Sequence, residues 1–320
     1  MKTEFEFIEN IRRRFDLEKI GDDCAVLPKD AKNDLVITAD LLVEDVDFRL
    51  DWSKPEFIGH KALAVSLSDV AAMGAKPVWS MLSVGVPPKI WKTNFVEEFY
   101  RGYMRLAKKF GVELIGGDVS KTPEKIVIDS IVAGETRKGK AVMRSGAKAG
   151  DQIFVSGALG GASAGLKLLE AGEKYENSKR KNLLLRQLKP NPQAELGAVL
   201  GEKNLASAMM DISDGLSSDL MHICRQSRTG AKIFAAEIPL QKNLGAVAKS
   251  FEEKLNLALN GGEDFELLFT VNPKKIPALR KLAANYSFQH IGEVTANIEI
   301  IEFINTQKTV ILEPKGFRHF

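Results

Sequence analysis

Acidic side chains recur directly after apolar runs, usually with a glycine or another turn residue beside them. The pattern is found at residues 20–23, 37–40, 67–69, 115–118, 210–215 and 261–264. A carboxylate at the tip of a buried element is costly unless a cation compensates its charge. Mg²⁺ prefers carboxylate oxygens together with the oxygens of bound phosphates. The pattern therefore predicts a magnesium–nucleotide site assembled from distant segments.

The composition is that of a globular protein with a full core. The chain has 320 residues, of which 44% are hydrophobic and 27% charged, enough for one large domain or two of ordinary size. A net charge of +3 is too small to indicate nucleic acid or an anionic membrane as the main partner. Residues 1–14 do not read as a signal peptide, and no run approaches the ~20 apolar residues of a membrane span. Because only Cys24 and Cys224 are present, we expect a reducing compartment, the cytoplasm.

The elements that must position these acids alternate between strands and helices in the first half of the chain. The patterns predict strands at 35–38, 78–86 and 126–133, each bounded by turn residues. A helix is predicted at 55–73, and a second apolar stripe predicts a helix that stops at Gly111.

Residues 137–150 lack apolar runs and predict a boundary, with domains at 1–137 and 138–320. After it we expect a strand at 152–155, a glycine-rich turn at 157–161, helices at 162–170, 216–227 and 276–284, and a strand at 265–271. Alternating elements in both halves predict an α/β or α+β fold.

Each acidic segment also has an ordinary structural explanation. The pair Asp22 and Asp23 is typical of a turn, and Asp40 of the end of a strand. On the predicted helix 55–73, Lys61 and Asp69 share one face. Asp69 is surrounded there by small and apolar residues, so it requires a partner, which is either a buried salt bridge or a metal.

The glycine-rich segments can hold phosphate or simply form turns. We expect the turn at 116–118 to offer backbone N–H groups to phosphate oxygens. The turn at 157–161 could hold an anion at a helix N-terminus, although it is not a Walker loop. Residues 211–215 could bind metal and phosphate together or cap the helix that follows. The four histidines are scattered and indicate neither a zinc site nor a Ser-His-Asp triad.

Taken in order, these segments resemble the thiamine-monophosphate kinase family. The matching stretches are residues 20–25, 38–48, 61–75, 114–118, 144–148, 155–165, 210–216, 261–269 and 315–320. Each is unspecific alone, but together they run in register along essentially the whole chain. The resemblance implies the two-domain architecture shared with aminoimidazole-ribonucleotide synthetase and selenophosphate synthetase. It also implies a homodimer with paired N-terminal domains and an ATP cleft between the two domains of each chain.

The activity that the resemblance implies is direct, in-line transfer of the γ-phosphoryl group of ATP to thiamine monophosphate. No catalytic residue is implied, because the acceptor phosphate is already ionised at neutral pH. Several Mg²⁺ ions would be held by Asp23, Thr38, Asp40, Asp69, Asp118, Asp211 and Asp214. ATP would contact Tyr100, Gly117, Asp118, Arg144 and Ser213. The substrate would contact Asp47, Glu263 and Phe317.

Four positions depart from the family pattern. Asp47 stands where a histidine is usual, Asp45 where a glycine is usual, and Ala39 where a hydroxyl residue is usual. Pro314 occupies a tail position that is aromatic in some relatives. Two alternatives therefore stay open: an ATP-dependent enzyme of the same fold with a different acceptor, and a nucleotide-binding regulator without turnover.

Overall fold

Two β-sheets with helices packed on them make up the part of the chain that the computed structural model describes, residues 4–305 and 308–317. The helices are α1 Glu4–Arg14, α2 Pro55–Ala72, α3 Pro88–Trp91, α4 Phe95–Phe110, α5 Gly161–Glu170, α6 Lys181–Leu188, α7 Ala194–Glu202, α8 Leu216–Ser227, α9 Phe251–Asn260 and α10 Ile276–Arg280. The strands are β1 Ala25–Pro28, β2 Asn33–Val43, β3 Lys76–Val86, β4 Glu113–Lys121, β5 Val127–Arg137, β6 Gln152–Ser156, β7 Ala206–Asp211, β8 Gly230–Phe234, β9 Leu267–Val271, β10 Phe288–Thr295, β11 Ile301–Asn305 and β12 Lys308–Ile311. Within those ranges no helix is long and apolar enough to cross a membrane.

The first sheet has one covered face and one open face. Its order is β1-β2-β5-β3-β4, and β4 at the edge runs parallel to β3. Side chains alternate between the two faces of a strand. Val36 and Leu42 of β2 are buried toward α2, whereas Leu41 lies on the other face and is 61% exposed. Met81 of β3 lies on the same open face as Leu41. The register pairs Leu41 with Asp129 and Met81 with Ile131, and these two residues of β5 share one face of the sheet.

The second sheet is seven-stranded, with the order β12-β11-β8-β10-β6-β9-β7. Its neighbours are antiparallel except for β8 and β11. The strand β7 ends at Asp211, and the chain then turns into α8. The acidic segment 211–215 therefore lies at the end of a buried edge strand.

The helix α2 packs against both halves of the chain. It lies on β2, β3 and β5 of the first sheet and also contacts α7 and β7 of the second half. Its approach to α4 is close, because a Cβ at Gly59 would lie 1.9 Å from the Phe99 carbonyl oxygen. Nearly all its residues are buried, as expected for a helix that is apolar on all sides. The position of α2, and so of Lys61 and Asp69 on it, is fixed from several sides.

The fold agrees with most sequence expectations and corrects four of them. Helices α2, α4 and α8 match within one residue, and α4 ends at Gly111, which has φ 67°. Asp40 was expected after a strand but lies inside β2, and residues 116–118 lie inside β4 rather than in a turn. The strand expected at 265 begins at Leu267, and the helix expected at 276–284 gives way to a 3₁₀ turn after Arg280. The boundary between domains 1–137 and 138–320 stays a prediction.

Candidate functional site

A cleft of about 2160 Å³ lies between the two halves of the chain. Nine of the predicted site residues line it: Asp23, Thr38, Asp40, Asp47, Arg144, Ser213, Asp214, Glu263 and Phe317. Lining residues come from the turn before β1, from β2, from the segment before β6 and from the turns before α8 and β9. The cleft thus brings together segments from both halves of the sequence, as the repeated acids predict.

Three carboxylates converge at the wall of the cleft, where Asp23 lines it. Asp23, Asp69 and Asp211 each place an oxygen within 4.8 Å of the other two. Oδ2 of Asp23 and Oδ2 of Asp211 are buried and have no hydrogen-bond partner within the described residues. Buried, unpartnered carboxylate oxygens are costly in a folded protein. The donor set of hard, anionic oxygens fits Mg²⁺, so these residues suit the metal that the sequence predicts.

Two further predicted ligands border this acidic cluster. Thr38 donates a hydrogen bond of 2.5 Å to Oδ2 of Asp69. Asp40 follows two residues later on the same face of β2, and its Oδ2 is buried without a partner in the described part of the chain. The pKa of Asp40 is raised to about 6 and that of Asp211 to about 7, in both cases chiefly by burial. Burial, followed by the charge of Asp40, raises the pKa of Asp69 well above its usual range.

Arg144 is the cation nearest to the cluster in the contacts described. Its Nη2 lies 2.6 Å and its Nε 3.2 Å from Oδ1 of Asp23. Its backbone N–H donates to the carboxylate of Asp22 at 3.1 Å. Burial, followed by the charge of Asp23, raises the pKa of Asp22 to about 7. The segment before β6 is thereby joined to the acidic turn before β1.

The turn 211–215 carries Ser213 and Asp214 into the cleft and also receives the C-terminal tail. Gly215 has φ 121°, a conformation that favours glycine, and its N–H donates to Asp219 in α8. The backbone N–H of Phe317 donates to the Asp214 carbonyl at 3.1 Å. Phe317 therefore lies at the cleft, whereas residues 318–320 of the matching tail lie outside the described residues.

Two of the predicted substrate residues, Asp47 and Glu263, meet at Lys61 of α2. Lys61 forms an ion pair of 2.6 Å with Oε1 of Glu263 and donates to the Asp47 carbonyl at 2.9 Å. Gln187 donates to Oε2 of Glu263. The Asp47 side chain accepts a hydrogen bond from the Val43 backbone at 2.7 Å, so it stabilises its own loop. Lys61 and Gln187 were not assigned from the sequence, although a lysine in an apolar helix signals a buried partner.

Five predicted nucleotide or metal residues do not line the cleft of their own chain. Two of them, Asp69 and Asp211, lie beside Asp23 in the acidic cluster. The other three are Tyr100, Gly117 and Asp118. Gly117 and Asp118 lie on the edge strand β4, and Tyr100 packs edge-on against Phe99 in α4. The register aligns Asp118 with Ser83, Asp129 and Leu41 on the open face of the first sheet. Asp40 faces the opposite side, three strand spacings or about 14 Å away across the sheet.

The glycine-rich turn before α5 does not offer a free anion site. Asp264 accepts hydrogen bonds from the backbone of Gly160 at 2.5 Å and of Ala162 at 3.0 Å. This carboxylate occupies the helix N-terminus, where a phosphate was one expectation. Arg186 approaches the same acid at 3.7 Å and Glu266 at 3.0 Å. The turn 157–161 is therefore part of a buried network within the chain.

Comparisons with known proteins identify the family. The model "AIR synthase related protein, N-terminal domain" matches residues 21–136, and the corresponding C-terminal domain model matches residues 148–303. Thiamine-monophosphate kinase from Buchnera aphidicola subsp. Acyrthosiphon pisum is 38% identical, and the match covers 99% of both chains. The chain belongs to the thiamine-monophosphate kinase family.

Other members of the thiamine-monophosphate kinase family are similar over most of their length. The Bacillus subtilis protein is 37% identical, covering 94% of this chain and 93% of its own. The solved structure "AaThiL complexed with AMPPCP and TMP" has a TM-score of 0.85 and 34% identity, and it covers 99% of this chain and 97% of that one. The Stenotrophomonas maltophilia K279a kinase has a TM-score of 0.79 at 34% identity, covering 94% of this chain and 96% of that one. The predicted two-part α/β architecture is confirmed.

Proposed function

We propose that this protein transfers the γ-phosphoryl group of ATP to the phosphate of thiamine monophosphate, giving thiamine diphosphate and ADP. The observation that carries the proposal is the buried group Asp23, Asp69 and Asp211 beside Arg144, at a cleft that Glu263 also lines. The similarity to a structure named as a complex with AMPPCP and TMP supports both substrates.

The residues present account for a transfer without a dedicated base. The acceptor is a phosphate whose second pKa lies near 6, so its oxygen is ionised at neutral pH. The task left to the protein is to align two anions and offset their repulsion. Arg144 contributes a guanidinium beside the acidic cluster. The turn 211–215 adds backbone and hydroxyl groups suited to phosphate oxygens, through Ser213.

Asp23, Asp69 and Asp211 would hold Mg²⁺, with Thr38 and Asp40 at the border of the same group and Asp214 lining the cleft. The metal would supply positive charge that neutralises the phosphate oxygens during transfer. The unpartnered oxygens of Asp23 and Asp211 support this assignment. Raised pKa values fit it too, because carboxylates that lack a cation retain their protons more strongly.

We also propose a homodimer that pairs the open faces of two first sheets. Leu41, Met81 and Ile115 are 61%, 38% and 53% exposed, and exposed apolar groups on a sheet and its edge strand are typical of association surfaces. Asp118 lies on that face, so pairing would carry it toward the partner.

Both cysteines are free and buried, which supports the cytoplasm as the compartment. We also retain the proposed domain division at residue 137.

The decisive experiment incubates purified protein with Mg-ATP and thiamine monophosphate and measures thiamine diphosphate and ADP. One-to-one formation of both products is expected, with neither formed when thiamine monophosphate or Mg²⁺ is omitted. ATP binding without product would instead indicate the non-catalytic regulator. ADP release with another phosphorylated acceptor, but not with thiamine monophosphate, would indicate an enzyme of the same fold with a different acceptor.

A further inference from the structure

A buried lysine that lines the cleft connects the two halves of the chain. The Lys61 side chain is 4% exposed, and its ammonium lies 2.6 Å from Oε1 of Glu263. The same ammonium donates to the backbone carbonyl of Asp47 at 2.9 Å. A buried ammonium is tolerated only when its hydrogen bonds are satisfied. The contacts of Lys61 therefore fix both the turn that carries Glu263 and the loop that carries Asp47.

Glu263 is held from several directions. Gln187 on α6, which is 7% exposed, donates to its second carboxylate oxygen. Its backbone has φ 65°, and its N–H donates to the Ser213 carbonyl at 2.7 Å. A non-glycine residue in the left-handed region persists when its surroundings hold it there. The direction of the Glu263 carboxylate is thus determined by Lys61, Gln187 and the acidic turn together.

The same helix also carries a member of the acidic cluster. Lys61 and Asp69 lie on one face of α2, separated by two turns or about 12 Å along the helix axis. Since α2 is buried against both halves, this separation cannot change without repacking the core. α2 thereby sets the distance between the acids expected at the phosphates and the carboxylate expected at the acceptor.

We propose that Lys61 is a positioning residue for the phosphoryl acceptor and acts through Glu263. This inference rests on the proposed function, because it assigns the part of the cleft around Glu263 to the acceptor and the part around the acidic cluster to ATP. Lys61 determines where the acceptor's organic part sits relative to the transferred group.

The first test compares Lys61→Met with Lys54→Met. Lys54 forms an exposed ion pair of 3.3 Å with Glu176 and is the matched control for loss of a lysine near the same helix. For Lys61→Met the KM for thiamine monophosphate should rise roughly 10- to 100-fold, the range typical for loss of a residue that orients a ligand-binding group. The KM for ATP should change less than about two-fold, and Lys54→Met should leave both values unchanged, as exposed pairs contribute little.

Two further variants keep the test informative if Lys61→Met folds poorly. The double variant Lys61→Met/Glu263→Gln removes both charges, and its KM for thiamine monophosphate should be no higher than that of Glu263→Gln alone, because the two residues act as one unit. Gln187→Leu removes the second contact to the carboxylate and should raise the same KM with that for ATP unchanged. Equal rises in both KM values, or additive effects in the double variant, would overturn the inference.

Calorimetric binding of thiamine monophosphate separates this inference from the proposed function. Wild type that forms no thiamine diphosphate but binds thiamine monophosphate more tightly than Lys61→Met contradicts the kinase activity and supports the role of Lys61. Wild type that forms the product, with Lys61→Met binding thiamine monophosphate equally well, contradicts only the role of Lys61. Absence of binding to wild type contradicts both.

Discussion

Arg144 contacts a single carboxylate oxygen of Asp23 through two of its nitrogens, Nη2 at 2.6 Å and Nε at 3.2 Å. The other oxygen, Oδ2, is buried and has no partner among the described residues. One oxygen of Asp23 is thus compensated by the protein and the other is left for an external cation. The Asp23 side chain can therefore pair with Arg144 through Oδ1 and bind a metal through Oδ2.

Substitution of Arg144 should impair use of ATP more than folding. Arg144→Met is expected to lower kcat/KM for ATP by roughly 10²- to 10³-fold, the usual effect of removing one group that stabilises charge in a transition state. Arg144→Lys should recover only part of this, because an ammonium cannot reproduce the guanidinium contacts. Steady-state kinetics will measure both, with Arg137→Met as the control on an exposed pair with Glu202. Full activity of Arg144→Lys would contradict the geometric role.

Asp211→Asn should abolish the stabilisation by Mg²⁺ and most of the activity while leaving the fold intact. The change removes one of three mutually repelling carboxylates, so the melting temperature without metal should be equal to or higher than that of wild type. The stabilisation that Mg²⁺ gives wild type should disappear, and activity should fall roughly 100-fold or more, beyond the effect typical of groups around a metal site. Differential scanning calorimetry with and without Mg²⁺ measures the first two effects. Asp51→Asn, on an exposed acid, should change none of them.

Metal-free protein should lose stability as the pH rises, and Mg²⁺ should restore it. The pKa values of Asp22 and Asp211 are about 7 and that of Asp40 is about 6, raised chiefly by burial. Groups whose folded pKa exceeds the unfolded value of about 3.9 stabilise the fold fully below about pH 4 and lose this contribution as the pH rises through about 6 to 7. The increase in melting temperature caused by Mg²⁺ should therefore be larger at about pH 8 than at about pH 5.5, since only ionised carboxylates bind the metal.

That pH dependence has an internal control. In Asp211→Asn the difference in melting temperature between the two pH values should be smaller than in wild type, because one raised pKa has been removed. An equal Mg²⁺-induced shift at both pH values in wild type would show that the acids are already ionised at the lower pH.

Mixed dimers test whether Asp118 acts in the cleft of the partner. Asp118→Asn and Asp211→Asn homodimers should each be nearly inactive. If each site draws Asp118 from one chain and Asp211 from the other, mixed dimers contain one site with both residues intact. Random mixing should then restore about one quarter of wild-type activity, since half of the dimers are mixed and half of their sites are intact. Activity that stays at the level of the separate variants would show that both residues act within one chain.

The sequence predicts the helices better than the strands around the site. In α2 and α4 the four-residue apolar spacing and a terminal glycine determine both ends, and these signals are local. Gly117 and Asp118 resemble a turn in sequence but continue the edge strand β4, since a strand exposed at the edge tolerates polar residues and glycine. Asp40 was likewise expected outside a strand that in fact continues to Val43.

The contacts within the site depend on tertiary structure. The repeated acids predict that carboxylates converge, and Asp23, Asp69 and Asp211 do so. The sequence could not show that Glu263 pairs with Lys61, because the two residues come from opposite halves and only the fold brings them together. A lysine within an apolar helix signals a buried partner, but it does not identify that partner.

The carboxylate of Asp264 at the start of α5 changes what a glycine-rich turn signifies in this chain. The Asp264 carboxylate belongs to the same chain and offsets the partial positive charge of the helix N-terminus. That charge therefore stabilises the fold and is not available to attract a ligand. ATP must therefore obtain its counter-charge elsewhere. Removal of Mg²⁺ should therefore leave the start of α5 in place, because its internal anion needs no metal, while the acidic cluster loses the cation proposed for it.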